Sequence, residues 1–426
     1  MDSFRLPLWI TLSSLPLVST LDNGLGLLPP MGYNTWNDLG CLKLTEETVR
    51  AAADALVSNG LSKKGYTYVN LDDCWHADHR NKESGRLEAH PTRFPSGMAA
   101  LADYVHSKGL KFGIYTDRGS KTCAGRPGSL GYEKLDAETF ASWGVDYVKE
   151  DNCHASTGPN DKDVLFQQFA AFRDALNATG RPIFFSVCGG GDQVPWANLS
   201  YYATDPRGGP GLANSWRISP DCTEWLTCTQ AAHISSQVRS VSVRGGFNDP
   251  DMLLGSSKGT EMWLTPIQSR TQFFVWAVLM APLLLGTSPE KLTAYDLETY
   301  SADEVLQVNQ DPLMKQGGLI VSEWESPGGR SGHLIWAREV ENGVAIVFQN
   351  NFPLQGKVKC SDNCWAALPF THGTRLHARE LLSAGSPSGA SEEFDIIAGT
   401  SLEVDVVSGG ASRMFRLEVQ SPTFQM

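Results

Sequence analysis

The chain has 426 residues, of which 41% are hydrophobic and 19% are charged, and its formal net charge is -12. This composition is typical of a globular protein with a large core and two domains, and it excludes a disordered chain. The acidic balance argues against a nucleic-acid or anionic-membrane partner and is compatible with a neutral ligand such as a sugar.

The first twenty residues resemble a secretory signal peptide. Arg5 precedes an apolar stretch from Leu6 to Val18 that ends in small residues, and this stretch is too short for a comfortable transmembrane helix. A buried N-terminal segment is the alternative. We therefore expect residues 1–20 to be removed and the protein to be secreted or delivered to a lysosome-like compartment.

Short apolar runs alternate with segments of helical periodicity between Met31 and Gln310. The candidate strands are MGYNTW, YTYVNLDD, KFGIYTD, DYVKED, IFFSVC, NSWRI, GGFNDPDM and LLLGT. Helical segments such as TEETVRAAADALVSNG and FPSGMAALADYVHSKG lie between them. Eight strands interleaved with helices predict an α/β fold, a (β/α)8 TIM barrel over residues 21–314. A doubly wound open sheet is the alternative.

The pattern changes after Pro312. The runs GLIVSEW, HLIWARE, GVAIVFQN, TRLHAREL, TSLEVDVV and SRMFRLEV are short and are separated by turn-forming residues. No segment of helical periodicity is found among them. We therefore predict a C-terminal antiparallel β-sandwich domain over residues 315–426.

A secreted chain is expected to pair its cysteines, and this one has nine. The predicted pairs are Cys41–Cys74, Cys123–Cys153, Cys222–Cys228 and Cys360–Cys364, which leave Cys188 free. The sequons Asn177-Ala-Thr and Asn198-Leu-Ser predict two glycosylation sites.

Acidic residues recur at the ends of the predicted barrel strands. They are Asp72, Asp73, Asp117, Glu150, Asp151, Asp221, Asp249 and Asp251. A barrel brings its strand tips together around one pocket. Any one of these acids is as readily a helix cap or a surface charge, but their recurrence indicates one acidic active site.

Asp151 and Asp221 are the two carboxylates that cleavage of a glycosidic bond requires. Lys149 shares a strand face with Asp151 and would hold it ionised for nucleophilic attack, although a structural ion pair is the alternative. We expect Asp221, on a loop beyond Arg217, to be protonated at rest and to act as general acid and then base. A helix cap is its alternative role.

The remaining candidates are suited to sugar binding. Asp72 and Asp73 can accept hydrogen bonds from neighbouring hydroxyl groups, and Trp36 and Tyr115 can border the apolar face of a sugar ring. A divalent cation is a rival ligand for the two acids. However, no histidine lies at ligand spacing and no calcium-binding loop is present in the sequence, so we expect no metal and no cofactor.

Taken together, these motifs resemble glycoside hydrolase family 27, the α-galactosidase and α-N-acetylgalactosaminidase family. The resemblance runs from LPPMGYNTWNDLGC through YVNLDDCWH, GIYTDRGSKTC, GVDYVKEDNC, GGFNDPDML and APLLLGT to LQVNQDP. It implies a retaining exo-glycosidase that hydrolyses terminal α-linked galactose, with Asp151 as nucleophile and Asp221 as acid/base. The sugar subsite that it implies consists of Trp36, Asp72, Asp73, Tyr115, Lys149, Cys188 and Arg217.

The resemblance carries two further implications. The Asp72–Asp73 pair would bind the axial 4-hydroxyl and the 6-hydroxyl of galactose. The bridges usual in the family coincide with Cys41–Cys74 and Cys123–Cys153. The expected partner is an α-galactoside oligosaccharide or glycoconjugate, and the expected assembly is a monomer or a homodimer.

One departure from the family pattern concerns the sugar's 2-position. Gly189, Gly190 and Gly191 stand where the family usually has a bulky residue and Trp, and the segment that follows is longer than is typical. The glycines would admit a 2-acetamido group, which would make the enzyme an α-N-acetylgalactosaminidase, unless Trp196 or Tyr201 refills the space. A galactose-binding protein without catalysis is the alternative from another class.

Overall fold

The structure is a computed structural model that describes residues 21, 23–155, 162–189, 209–257, 263–324, 332–382 and 391–420. The predicted signal peptide, the sequon at Asn198, and Gly190, Gly191, Trp196 and Tyr201 lie outside the described residues. Among the residues that are described, no helix is both long enough and apolar enough to cross a membrane.

The first part of the chain is a parallel β-barrel. Its strands are β1 (Met31–Asn34), β2 (Tyr68–Asn70), β3 (Lys111–Asp117), β4 (Tyr147–Asp151), β5 (Phe184–Val187), β6 (Ser215–Arg217), β7 (Phe247–Asp249) and β8 (Leu283–Leu285). From β1 to β7 each strand pairs with the next along the chain, and β1 also pairs with β8. A parallel bridge between Leu253 and Leu285 joins the segment after β7 to β8. The predicted barrel is therefore confirmed.

Helices connect the strands. The described helices of this part are α1 (Trp36–Lys43), α2 (Glu46–Ser58), α3 (Gly97–Ser107), α4 (Glu133–Ser142), α5 (Lys162–Ala178), α6 (Gly209–Leu212), α7 (Trp225–Gln237), α8 (Pro266–Val278), α9 (Ala294–Tyr300) and α10 (Asp303–Asn309). Three 3₁₀ turns lie at Leu61–Lys64, Arg239–Val241 and Pro289–Lys291. Thr45 caps α2 through a capping box with Thr48, at the predicted helix start.

Aromatic and methionine side chains close the end of the barrel where the strands begin. Tyr68, Tyr147, Phe184 and Phe247 are the first residues of β2, β4, β5 and β7, and they form one buried cluster that also includes two methionines. This end of the barrel is therefore apolar. The polar side chains lie at the carboxyl ends of the strands, where barrel enzymes place their active sites.

The C-terminal part is made of antiparallel strands. They are β9 (Gly318–Trp324), β10 (Gly332–Val340), β11 (Gly343–Asn350), β12 (Gly356–Cys360), β13 (Arg375–Glu380), β14 (Glu393–Ile397), β15 (Leu402–Val406) and β16 (Ala411–Val419). Six of them form a sheet in the order β14-β13-β16-β11-β10-β9, and β12 pairs with β15 in a second, smaller sheet. The predicted fold class, a barrel followed by an antiparallel β domain, is confirmed.

The six-stranded sheet is apolar on both faces. On one face, Phe348 of β11 shares a core with Val358 and Val404 of the small sheet. On the other face, Trp336 and Met414 belong to the hydrophobic core of the barrel. The sheet is therefore covered on one side by the small sheet and on the other by the barrel, to which the hydroxyl groups of Thr271 and Ser412 add a 2.8 Å hydrogen bond.

The structure contains elements that the sequence pattern did not indicate. They are helix α7, strands β12 and β14, the short helices α9 and α10, and α11 (Asp362–Ala366) within the β domain. The prediction that no helix interrupts the C-terminal strands was wrong at α11.

Candidate active site

The acidic residues predicted at the strand ends lie at the carboxyl edge of the barrel. Asp72 and Asp73 follow β2, Asp151 is the last residue of β4, and Asp251 lies two residues beyond β7. These four side chains are buried, whereas the side chain of Asp221, beyond β6, is 65% exposed. The site therefore combines fixed interior carboxyl groups with one that faces solvent.

Lys149 links two of the strands. Its Nζ lies 2.8 Å from Asp72 Oδ2 and 3.9 Å from Asp151 Oδ2, and Asn34 donates a 2.9 Å hydrogen bond to the same Asp72 oxygen. Burial lowers the pKa of Lys149, but the charges of Asp72 and Asp151 outweigh it and raise the pKa well above its ordinary value. Lys149 is therefore a buried cation that is shared between two acids and lies closer to Asp72.

Asp151 is held by hydrogen bonds on both carboxyl oxygens. Tyr115 donates from its hydroxyl group to Oδ2 at 3.2 Å, and the backbone N–H of Asn152 donates to Oδ1 at 2.9 Å. Burial raises the pKa of Asp151 above its ordinary value, and the charge of Lys149 acts in the opposite direction. The ammonium group favours the ionised form, as predicted, but burial has the larger effect.

Asp221 accepts a 3.0 Å hydrogen bond from Nη2 of Arg217. The charge of Arg217 holds the pKa of Asp221 below its ordinary value, which differs from our expectation of a protonated group at rest. Glu224 is the N-cap of α7, so Asp221 does not have the alternative role of capping that helix.

Asp73 and Trp36 are two further residues that were predicted to belong to the site. The Asp73 carboxyl group accepts backbone hydrogen bonds from Cys74 at 2.6 Å and from Ala124 at 2.8 Å, and burial raises its pKa. Trp36 was predicted at a strand end, but it is the first residue of α1, half-buried, and its backbone N–H donates to Asn34.

Cys188 carries a buried free thiol at the end of β5. Its Sγ lies 4.0 Å from Nη1 of Arg217. Burial raises the pKa of the thiol well above its ordinary value. Cys188 is therefore a neutral group between the strand that ends in Asp151 and the strand that ends in Arg217.

Three of the four described disulfides are adjacent to site residues. The bonds join Cys41 to Cys74, Cys123 to Cys153, Cys222 to Cys228, and, in the β domain, Cys360 to Cys364. Cys74 follows Asp73, and Cys222 follows Asp221. The covalent links therefore fix the loops that present these acids.

Asp117 is the last residue of β3, beside Asp151 in the sheet register, and both of its oxygens accept hydrogen bonds. It accepts backbone hydrogen bonds from Gly119 at 2.6 Å and from Cys153 at 2.7 Å. Burial, followed by the charge of Asp151, raises its pKa to about 8. Ligand atoms of Asp117, Asp151, Cys123 and Cys153 lie within 4.8 Å of one another, but the two sulfur atoms are joined in a disulfide and offer no thiolate.

Several site residues were not assigned a role from the sequence. Asn34 stands at the tip of a predicted strand, and this position was the only signal for it. His76, three residues after Asp73, is fully buried and stacks on Trp75 with ring centroids 3.8 Å apart. Its Nδ1 lies 3.9 Å from Asp73 Oδ1. Asp251 was recognised as an acid at a strand tip, but its contact with Arg217 was not foreseen.

Comparisons with known proteins agree with this architecture. A family model described as Melibiase_2, alpha galactosidase A, matches residues 28–311. A protein named alpha-galactosidase 3 from Arabidopsis thaliana is 44% identical over 368 residues, which are 83% of this chain and 79% of that protein. A probable alpha-galactosidase from Dictyostelium discoideum is 42% identical over 335 residues, covering 78% of this chain and 80% of that protein.

A solved structure shows the same fold. The crystal structure of alpha-galactosidase I from Mortierella vinacea aligns with a TM-score of 0.79 and 30% sequence identity. The alignment covers 94% of this chain and 100% of that one, so it includes both the barrel and the antiparallel β domain.

Proposed function

The chain belongs to the alpha galactosidase A family, and on that premise we propose that Asp151 and Asp221 carry out a double displacement on a terminal α-galactoside. The family, which the sequence motifs predicted, is confirmed. The protein is a glycoside hydrolase, and its relatives support hydrolysis of α-linked galactose. The roles of individual side chains are the proposal.

In the first step, Asp151 attacks the anomeric carbon while the bond to the leaving oxygen breaks. The hydrogen bonds from Tyr115 and Asn152 orient the carboxylate, and Lys149 stabilises its negative charge. The proton that the leaving oxygen requires comes from Asp221, so the products are an alcohol and a glycosyl ester of Asp151.

In the second step, Asp221 removes a proton from water, which attacks the ester and releases the sugar. The two steps need opposite protonation states of Asp221. A bound substrate would cover its exposed side chain, and loss of solvent raises the pKa of a carboxyl group. Formation of the ester then removes the negative charge of Asp151, which lowers that pKa again and favours the base.

The proposed sugar subsite uses the buried polar groups around Lys149. Asp72 and Asp73 would accept hydrogen bonds from the 4-hydroxyl and 6-hydroxyl groups, and Lys149 would donate one. Trp36 and Tyr115 would border the ring, with Cys188 and Arg217 completing the wall. Since the two acids are fixed by Asn34, Cys74 and Ala124, little rearrangement would be needed on binding.

One observation carries the proposal. Asp151 and the Arg217–Asp221 pair project from one edge of the barrel, and the buried Cys188 separates Asp151 from Arg217. A nucleophile and an acid/base must face each other across one sugar ring.

Proton NMR of the sugar first released from methyl α-galactoside tests the proposal. We expect the α-anomer; the β-anomer would refute the double displacement, and absence of hydrolysis would favour a sugar-binding protein.

Specificity at the 2-position is a separate proposal. We assign the chain to galactose and not to N-acetylgalactosamine, in keeping with its named relatives. Turnover of nitrophenyl α-galactoside and of its 2-acetamido analogue should be compared on the same preparation. A clear preference for the acetamido substrate would overturn the assignment.

Secretion, processing and assembly are also proposed. We infer that residues 1–20 are a signal peptide, that residues 21–314 and 315–426 are the two domains, and that the protein is secreted or lysosomal, as a monomer or a homodimer. Asn177 is exposed near the end of α5, as a glycan acceptor must be. Mass spectrometry of the secreted protein and light scattering would test these points.

A further inference from the structure

One guanidinium nitrogen faces two carboxylates in this site. Nη2 of Arg217 lies 3.0 Å from Asp221 Oδ1 and 2.8 Å from Asp251 Oδ2. The Asp221 side chain is 65% exposed, and the Asp251 side chain is only 4% exposed. Arg217 itself is buried, so its charge is divided between an interior acid and an acid that faces the substrate side.

Asp251 is held rigidly in this arrangement. Its Oδ2 accepts a 2.8 Å hydrogen bond from the backbone N–H of Cys222, and its Oδ1 accepts one from Met252. Its own backbone N–H donates to Asp249 at 2.8 Å, and its carbonyl group accepts from the Trp276 indole at 2.7 Å. Because Cys222 directly follows Asp221, one oxygen of Asp251 contacts both Arg217 and the loop that carries Asp221.

The ionisable groups around Asp221 belong to four neighbouring strand ends. They are Arg217 at β6, Lys149 on β4 with Asp151, the Cys188 thiol beyond β5, and Asp249 and Asp251 at β7. Arg217 is the cation with the largest effect on Asp221. Any change in how Arg217 is neutralised therefore changes the protonation of Asp221.

We propose that Asp251 is a positioning residue for the acid/base step, because it competes with Asp221 for the charge of Arg217 and so allows Asp221 to be protonated. This inference rests on the proposed function of Asp221. An ionised Asp251 partly neutralises Arg217 and also repels negative charge on Asp221. Both effects favour the protonated acid that donates to the leaving oxygen as the glycosidic bond breaks.

The protonation of Asp251 agrees with such a competition. Burial, opposed by Arg217, raises the pKa of Asp251 to about 6. Two carboxyl groups on one guanidinium group resemble the acid pairs that titrate as a unit and share a proton. Above about pH 6, the ionised Asp251 would compete most strongly for Arg217.

Asp251→Asn tests the inference. The amide keeps an acceptor for the Cys222 N–H, and asparagine tolerates the left-handed backbone at this position, where φ is 83°. With the competing charge removed, Arg217 should hold Asp221 ionised to lower pH. The basic limb of the pH profile of kcat, which reports the enzyme–substrate complex, should move to lower pH by about half a unit or more.

The leaving group provides the second measurement. Dinitrophenyl α-galactoside needs little help from an acid, whereas methyl α-galactoside depends on it, and general acids contribute about 100-fold or more. We expect Asp251→Asn to lose at least about tenfold more kcat/KM on the methyl substrate than on the dinitrophenyl substrate. Asp251→Glu, which restores a carboxylate, should recover part of this difference.

Asp249→Asn is the matched control, because it removes a nearby buried carboxylate whose hydrogen-bonding partner is the Asp251 backbone. It should produce a much smaller difference between the two substrates than Asp251→Asn, because the ion pairs of Arg217 are with Asp221 and Asp251. Equal loss on both substrates for Asp251→Asn, with an unmoved basic limb, would overturn the inference. If Asp251→Asn does not fold, Asp251→Ser is measured in its place by the same criteria.

Asp221→Ala, measured in parallel, separates this inference from the proposed function. Its loss should be concentrated on the methyl substrate, and azide should restore turnover of the dinitrophenyl substrate. If Asp221→Ala shows neither effect, the acid/base assignment itself fails. If Asp221→Ala behaves as expected and Asp251→Asn does not, only the role of Asp251 is refuted.

Discussion

At the scale of single residues, the site is dominated by the cost of placing carboxyl groups in the protein interior. Burial raises the pKa of Asp73, Asp151 and Asp249, although cations and backbone N–H groups oppose it at each position. A nucleophile must nevertheless be ionised. In the proposed mechanism Lys149 favours the ionised form of Asp151, because its Nζ lies 3.9 Å from Asp151 Oδ2.

Asp151→Asn removes the proposed nucleophile and should abolish turnover. The amide has nearly the same shape, so folding should change little. We expect kcat to fall by more than about a hundredfold, because loss of a nucleophile usually costs far more than loss of a binding contact. The measurement is steady-state hydrolysis of a nitrophenyl α-galactoside, with the melting temperature as the control. A variant that kept a larger share of the activity would refute the assignment.

Lys149→Met should move the acid limb of the pH profile. Without the ammonium group, burial and the charge of Asp72 act unopposed by Lys149, so the pKa of Asp151 should rise further. A higher pKa means that Asp151 becomes ionised only at higher pH, and kcat should therefore be lost on the acidic side first. The profile of kcat across mildly acidic pH checks this, and an acid limb that stays in place would contradict it.

The sequence was sufficient to place Asp72 and Asp151 at strand ends, because each follows a short run that contains large apolar or aromatic residues. It did not reveal which group each charge would contact. The preference of Lys149 for Asp72 depends on how β2 and β4 lie across the barrel, with β3 between them. The burial of His76 likewise depends on its stacking against Trp75, which a short polar segment of sequence does not indicate.

At the scale of elements, the sequence predicted those elements whose buried face carries large apolar side chains. Helix α7 lacks this signal, because its buried residues include Thr229, Ala231, Ala232, Ser235 and Ser236. Small side chains allow the helix to pack closely without producing a helical repeat of large apolar residues in the sequence. Strand β14 was missed for a related reason: it is an edge strand with no fully buried residue.

Arg338 joins the β domain to the barrel through backbone carbonyl groups. It lies on β10 and is 1% exposed. Its guanidinium group donates to the carbonyl groups of Ala277, Val308 and Asn309, at the ends of α8 and α10. Helix C-termini carry partial negative charge. Burial lowers the pKa of Arg338 to about 10, so the side chain remains charged at neutral pH.

Arg338→Met should therefore destabilise the protein without a direct effect on the site. The methionine fits the space but leaves several buried carbonyl groups unpaired, which we expect to cost about 2–4 kcal/mol of unfolding free energy. Calorimetry should show a lower melting temperature, with kcat/KM retained well below it. Arg338→Lys keeps the charge but makes fewer hydrogen bonds, so its melting temperature should lie between those of the parent and of Arg338→Met. A methionine variant as stable as the parent would show that these contacts contribute little.

At the scale of the whole molecule, the buried acids should make folding stability depend on pH. Asp117 has a folded-state pKa of about 8, whereas an unfolded aspartate titrates near pH 4. Between these values the folded state retains a proton that the unfolded state has lost, so the free energy of unfolding falls as pH rises. The net charge of -12 acts in the same direction, because self-repulsion grows with ionisation.

Three histidines, of which His76 is fully buried, set the lower bound of this window. Burial lowers the pKa of His76, His90 and His233. Below about pH 6.5 the unfolded state binds protons at these positions that the folded state does not, so they reduce stability as pH falls. The effect of the acids is therefore best isolated between about pH 6.5 and about pH 8.

In that window the melting temperature should rise as the solution is acidified. One group with a fully shifted pKa changes the unfolding free energy by about 1.4 kcal/mol per pH unit, so a rise of a few degrees between about pH 8 and about pH 6.5 is expected. Asp117→Asn cannot lose a proton, so its melting temperature should vary less with pH. Its amide nitrogen cannot accept one of the two backbone hydrogen bonds made to Asp117, so the comparison is between the pH slopes and not between the absolute melting temperatures. The residual slope in the variant would report the other buried acids. A parent protein whose melting temperature rises from pH 6.5 to pH 8 would show that Asp117 is ionised in the folded state.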